Sequence, residues 1–221
     1  MPPITPQQGG PKFARHNFYS AKDFYYPSDP ENGILRTYDG SRVANVSEDF
    51  IVGLQAGMEE EVGDAAGLIL YKTGYEWGIE DMRTFEARMG PEFGGNALNE
   101  MNINFVLETW WWPLTAEGWG TWGFDFSYRK QGLIFVDLYD SAVAKSLERV
   151  GKPVCYVYAG MFAAMFTYLS KKELSSIEIQ CYANGEDYCK FLVGLDARVN
   201  AAKFWMQEGA KASDVMQKLA L

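Results

Sequence analysis

The apolar residues of this chain recur at helical spacing up to about Glu108 and at a spacing of two from Gly118 onward. That change of period constrains the fold more than any other feature. Trp122, Phe124, Phe126 and Tyr128 alternate with Gly123, Asp125 and Ser127, and Gln131-Gly132 leads into Leu133 to Leu138, which predicts two antiparallel strands. Ser176 to Ala183 and Tyr188 to Val193 read as two more, joined through Asn184-Gly185, a dipeptide suited to the positive φ of a tight hairpin turn. Between the strand pairs lie a short amphipathic helix, Ser141 to Val150, and a buried one, Val154 to about Lys171. The buried helix carries Ala159, Gly160, Ala163 and Ala164 among Met161, Phe162, Met165 and Phe166. Small residues at that spacing allow close backbone packing. Strands of this kind among helices predict a single α+β domain, with antiparallel strands packed against several helices.

Upstream, Ser47 reads as an N-cap followed by Glu48 and Asp49, and Phe50, Leu54, Met58 and Val62 continue one face until Gly63. A longer helix is expected from Ala65 to Met89, stopped by Gly90-Pro91, and a third from about Ala97 into Glu108. Trp110, Trp111 and Trp112 then follow that helix before Pro113 breaks the pattern. Helices near Asp196 to Glu208 and Ser213 to Leu219 complete the chain. The Pro-, Gln- and Gly-rich start predicts a flexible tail over residues 1–17, with residues 18–221 as the domain. Residues 16–46 read as short pieces broken by turns, with a strand around Ile34 to Tyr38.

Charge narrows the function. Lys and Arg number 20 against 29 Asp and Glu, and a net charge of -9 without a basic patch opposes binding to nucleic acid or to an anionic membrane surface. Three cysteines without a secretory signal argue for a reducing compartment and a cytoplasmic protein. The longest uncharged stretch, Val154 to Ser170, falls short of the ~20 apolar residues that cross a bilayer.

The most specific chemistry is Glu178-x-x-Cys181 with Cys189, and Cys155 upstream. With a three-residue loop, Asn184 to Glu186, Cys181 and Cys189 would face each other across the ladder. Cys155 joins them if its helix packs over the hairpin. Three thiolates and one carboxylate suit a closed tetrahedral zinc site, structural rather than catalytic. Glu178 and Cys181 are three apart, so on a regular strand they point to opposite faces, and a bulge or a strand end is required. Two other readings stand beside the metal: three small buried hydrophobes, or a Cys181–Cys189 disulfide.

Other signals are weaker. Gly118-x-Gly120-x-x-Gly123 has the spacing of a dinucleotide loop, but a strand pattern follows it where a helix is needed, so turns or a bulge are expected. Glu76 and Glu80 sit one turn apart with Arg83 close by, and they read with Glu59 to Glu61 as a solvated face. The sole histidine, His16, falls in the tail. Trp110, Trp112, Trp119, Trp122, Phe124, Phe126 and Tyr128, with Phe162 and Phe166 of the buried helix, form either core or the lining of a pocket for a flat ring system.

Ala159-Gly160-Met161-Phe162 and the run from Ile177 to Phe191, with E-x-x-C, a Gly-Glu-Asp turn and C-K-F, resemble the 4-vinyl reductase-type domain over about Val136 to Val193. Ser47 to Trp77, with Gly74-Tyr75-Glu76-Trp77, resembles photosynthesis-linked cyanobacterial members. The resemblance implies a fold related to a vesicle-tethering subunit and to phenol sensors, commonly dimeric, with a ligand pocket inside the protomer. It also implies zinc on Cys155, Glu178, Cys181 and Cys189. The sensors' phenol-binding His and Trp do not carry over, since Leu138 stands where the Trp is expected. The function expected is a small-molecule-binding protein for a tetrapyrrole, a chlorophyll precursor or bilin, that supports pigment supply or photosystem assembly, cytoplasmic and peripheral to photosynthetic membranes. Two alternatives stand: a dimeric module that binds photosystem assembly proteins without pigment, and a vinyl-group reductase. No nicotinamide, flavin or nucleophile motif supports the latter.

Overall fold

The structure, a computed structural model, describes residues 28–29, 31–36, 40, 42–92, 94–95 and 97–220. The expected tail and His16 lie outside the described residues. Strands β1 (Ser28–Asp29), β2 (Ile34–Arg36) and β3 (Arg42–Val43) form a small antiparallel ribbon. Helix α1 (Glu48–Val62) begins after Ser47, whose side chain makes no capping bond, and ends at Gly63, where φ is 55°.

Helix α2 (Ala65–Glu92) runs through Gly90-Pro91 to Glu92 and does not stop at Met89. A proline in the last turn deprives only one carbonyl of its donor there, so the break falls just beyond it. The third helix is displaced more. Leu98–Glu100 is a single 3-10 turn, and α3 (Ile103–Ala116) starts where the Asn102 side chain accepts from the N–H groups of Asn104 and Phe105. Trp110 to Trp112 therefore lie within α3, and Pro113 sits in its last turn rather than breaking it. A strong cap outweighed the apolar period that suggested an earlier start.

Strands β4 (Thr121–Asp125) and β5 (Leu133–Tyr139) follow, then α4 (Ala142–Ser146), α5 (Tyr156–Ser170), β6 (Ser175–Gln180), β7 (Cys189–Gly194), α6 (Asp196–Gln207) and α7 (Ala212–Ala220). The four strands form an antiparallel sheet in the order β4-β5-β7-β6. Mixed helix and antiparallel sheet is the architecture expected from the change of period. β4 ends three residues short of Tyr128, which the alternation had placed on the face of Trp122. Tyr128 instead packs edge-on to Phe135 on the opposite face of the sheet.

One face of the sheet, through Trp122, Val136, Leu138 and Phe191, packs on α5 and α3. The other face, through Leu133, Phe135, Ile179 and Leu192, is covered by Val199 and Ala202 of α6 and Val215 and Leu219 of α7. Behind α5 lies α2, and the two helices meet backbone to backbone. A Cβ on Gly160 would stand 1.9 Å from the Tyr71 carbonyl oxygen, and one on Gly74 would stand 1.9 Å from that of Val157. Glycine at both positions is what lets α5 sit between α2 and the sheet.

Candidate metal centre

Cys155 occupies the N-cap position of α5, so the close crossing of α2 and α5 also fixes where its sulfur lies. Glu178 reaches the same point from β6 by way of a register shift between Glu178 and Gln180: Glu178 pairs with Phe191 and Gln180 with Lys190. This is the irregularity that a three-residue separation of Glu178 and Cys181 demands. Cys181 lies past the end of β6, at the entrance to a 3-10 turn over Tyr182–Asn184, and Cys189 opens β7 opposite Leu138. The two cysteines are thus not a cross-strand pair. The bulge and the longer turn bring them together instead, with the sulfurs 4.0 Å apart.

The ligand atoms of Cys155, Glu178, Cys181 and Cys189 all lie within 4.8 Å of one another, and all four residues are buried. Cys155 Sγ is 3.6 Å from Cys189 Sγ. A tetrahedron with metal–sulfur bonds of about 2.3 Å has sulfur–sulfur edges of about 3.8 Å, so these spacings suit one ion at the centre. No pair is joined as a disulfide; the three cysteines are free.

The surroundings orient the ligands. Glu178 Oε2 accepts from the backbone N–H of Cys155 at 2.9 Å, and Tyr182 N–H donates to Cys189 Sγ at 3.5 Å. Glu178 Oε1 is buried with no hydrogen-bond partner, an orphaned acceptor of the kind that a cation would satisfy. Ser141 was not expected here. Its Oγ caps α4 by accepting from Ala144 N–H and lies 3.4 Å from Cys155 Sγ. Its position ahead of an amphipathic helix revealed the cap, but nothing in the sequence revealed its contact with a cysteine 14 residues away.

Electrostatics point the same way. Burial pushes the Cys155 thiol and the Glu178 carboxyl well above their ordinary ranges. Hydrogen bonds from Cys155 and Cys189 pull Cys181 down to about 2. At Cys189 the contact with Cys155 acts downward, and Cys181 together with burial outweighs it, so this thiol lies above the usual range. Without a cation the interior tolerates one anion among four acids; a divalent ion would let all of them ionise. The donor set could hold a metal ion.

Most of the aromatic candidates converge beside this centre. Trp110 and Trp122 stack at 5.5 Å, Trp122 meets Phe162 edge-on at 5.8 Å, and Phe124 and Phe126 both meet Phe166. Trp110 Nε1 donates to Asp81 at 2.6 Å. Trp122 is fully buried, and its Nε1 has no acceptor. Trp112 lies against Trp111, and Trp119 lies apart from the cluster against Trp77 and Tyr158. Glu80 pairs with Arg83 in solvent as expected, whereas Glu59 is held by Lys152 at 2.7 Å and by Gln55, so it is more than a solvated charge.

Residues 134–195 match the family model of the vinyl-4-reductase (V-4-R) domain. The chain carries a vinyl-4-reductase domain. This segment holds β5 to β7 and all four candidate ligands. An uncharacterized protein of Methanocaldococcus jannaschii is 34% identical over 62 residues, a match that spans 28% of this chain and 38% of that protein. Among solved structures, the phenol-responsive sensory domain of the transcription activator PoxR, crystallised with phenol, superposes with a TM-score of 0.66 at 15% identity, over 88% of this chain and 96% of that one. The likeness to PoxR therefore extends the shared fold well beyond the vinyl-4-reductase segment. A vinyl-4-reductase family protein of M. jannaschii superposes with a TM-score of 0.44 at 16% identity, over 68% of this chain and 82% of that one. No helix among the described residues is long and apolar enough to cross a membrane.

Proposed function

We propose that this chain is a small-molecule-binding domain in which zinc at Cys155, Glu178, Cys181 and Cys189 ties the β6–β7 hairpin to α5, and a flat conjugated ligand docks against the aromatic cluster. The observation that carries the ligand reading is the Trp122 indole N–H, fully buried without an acceptor among stacked rings. An unsatisfied donor costs about 1–3 kcal/mol, which a ligand carbonyl or ring nitrogen would recover. Leu138 is the register partner of Trp122, so the place that lacks the sensors' Trp lies beside an indole from the neighbouring strand. The PoxR domain, a neighbour in fold, was crystallised with phenol, which supports an aromatic ligand here.

A tetrapyrrole, either a chlorophyll precursor or a bilin, offers large π faces for Phe124, Phe126 and Phe166 and acceptors for Trp122, and it fits a role in pigment supply or photosystem assembly. When bound, zinc would supply four metal–ligand bonds and no open position, so its work is mechanical. The residues themselves position it: Cys155 through α5, Glu178 through the bulge, Cys181 and Cys189 through the turn.

The test is an absorption titration of purified, zinc-quantified protein with chlorophyllide and with a bilin. A saturable band shift near one pigment per chain is expected, much reduced in a folded Trp122→Phe variant that keeps an aromatic ring and loses the N–H. No shift with either pigment overturns the tetrapyrrole reading and favours a protein-binding module.

A further inference from the structure

Beside α4, apart from the aromatic cluster, a second cleft opens, of about 390 Å³, within the range of small-ligand sites. Its apolar walls are Trp119 from the turn before β4, Ile51 of α1 and Val43 of β3. Its remaining lining is charged: the carboxylates of Glu48, Glu117 and Asp140 stand against one ammonium, that of Lys145. Lys145 is already engaged, 3.7 Å from Asp140 and 3.8 Å above the Tyr182 ring.

The glycine motif that has the spacing of a dinucleotide loop builds one wall of this cleft. Gly118 and Gly120 have φ of 93° and 114°, and a Cβ on Gly120 would lie 2.6 Å from the Tyr139 carbonyl oxygen, so only glycine lets the chain turn so tightly against β5. The turn is also held by Tyr158, whose O–H donates to the Trp119 carbonyl at 2.6 Å. Asp140, at the end of β5, adopts a φ of 51°, uncommon for a residue other than glycine. The lining includes Ser141, fixed by its cap on α4 and its contact with Cys155. The cleft is therefore formed by constrained backbone in both segments. An anionic phosphate is excluded by the rim, whereas a cation is drawn in and meets the indole face of Trp119.

We propose that this cleft is a binding site for amphipathic organic ammonium ions, with the apolar part against Trp119 and Ile51 and the charge toward Glu48, Glu117 and Asp140. It is separate from the aromatic cluster and independent of what that cluster holds.

Benzylammonium, benzyl alcohol and benzoate, titrated by calorimetry into the full chain, test the proposal. Benzylammonium should saturate at one per chain and bind about tenfold more tightly than the alcohol, with an affinity that falls as salt is raised. Benzoate should not bind. A Glu48→Gln, Asp140→Asn double variant should lose about tenfold for benzylammonium and nothing for the alcohol; asparagine tolerates the φ of Asp140. Ala44→Trp, at an exposed position in the lining, should block the site with the melting temperature unchanged. Absence of saturable benzylammonium binding, equal affinity for benzoate, or full binding in Ala44→Trp each overturns it.

Discussion

The two faces of the β4-β5-β7-β6 sheet are covered in different ways. On the face toward α5, backbone meets backbone at Gly74 and Gly160, four buried acids converge, and a fully buried indole lacks an acceptor. On the face toward α6 and α7, apolar side chains of two amphipathic helices cover Leu133, Phe135 and Leu192, and Lys190 pairs with Asp137 beside them. Burial pushes the Asp137 carboxyl up despite that lysine, so even the polar part of this face gives only partial compensation. The α5 face depends on close approach and on specific partners, and the α6/α7 face on apolar area. Substitutions should therefore fail abruptly on the first and by degrees on the second.

The largest effect is expected from Gly160→Ala. One methyl group meets a carbonyl carbon and oxygen of α2 that no rotamer change can move, so a loss of about 4 kcal/mol or more is expected in chemical denaturation, or failure to fold. A variant of near wild-type stability would show that α5 is not held in this way. Cys181→Ser comes next. It should lower bound zinc, measured by elemental analysis, together with stability, by about 3 kcal/mol. Retained stability in a protein that never contained zinc would sink the metal reading.

On the opposite face Val215→Ala should cost about 2 kcal/mol and leave zinc content unchanged. Coupled loss of zinc would mean that the two faces are not independent.

The smallest effect is electrostatic. Glu86 of α2 accepts from the Tyr168 hydroxyl of α5 and from Leu98 N–H, and the hydroxyl bond holds its carboxyl below the ordinary range. A depressed carboxylate stabilises the fold above its unfolded pKa, and that contribution is lost as pH falls through the folded value. Because Glu86 is well solvated, the contribution is under about 1 kcal/mol. Melting curves from pH 7 to pH 3 should show wild type losing its small advantage over Glu86→Gln; a constant difference would remove the pH-linked part.

Several features were legible because they are local. The change of period announced helices and antiparallel strands, Ala159 and Gly160 announced a close helix crossing, and the Glu178–Cys181 spacing announced a bulge. The misplacements came where two local signals competed. Asn102 capped α3 later than the apolar period suggested, which drew Trp110 to Trp112 into the helix, and β4 ended before its alternation did, which sent Tyr128 to the far face.

The sequence by itself determined the candidate ligands, since soft sulfur donors and a carboxylate define a metal chemistry wherever they meet. It also determined which helix could lie deepest, because only small residues permit backbone contact. Tertiary structure alone decided that Ser141 touches Cys155, that Trp122 lacks an acceptor while Trp110 finds Asp81, and that a glycine turn shares a cleft with three carboxylates. Each joins residues distant in sequence or reports what lies next to a buried atom, and no periodicity or spacing records such neighbours.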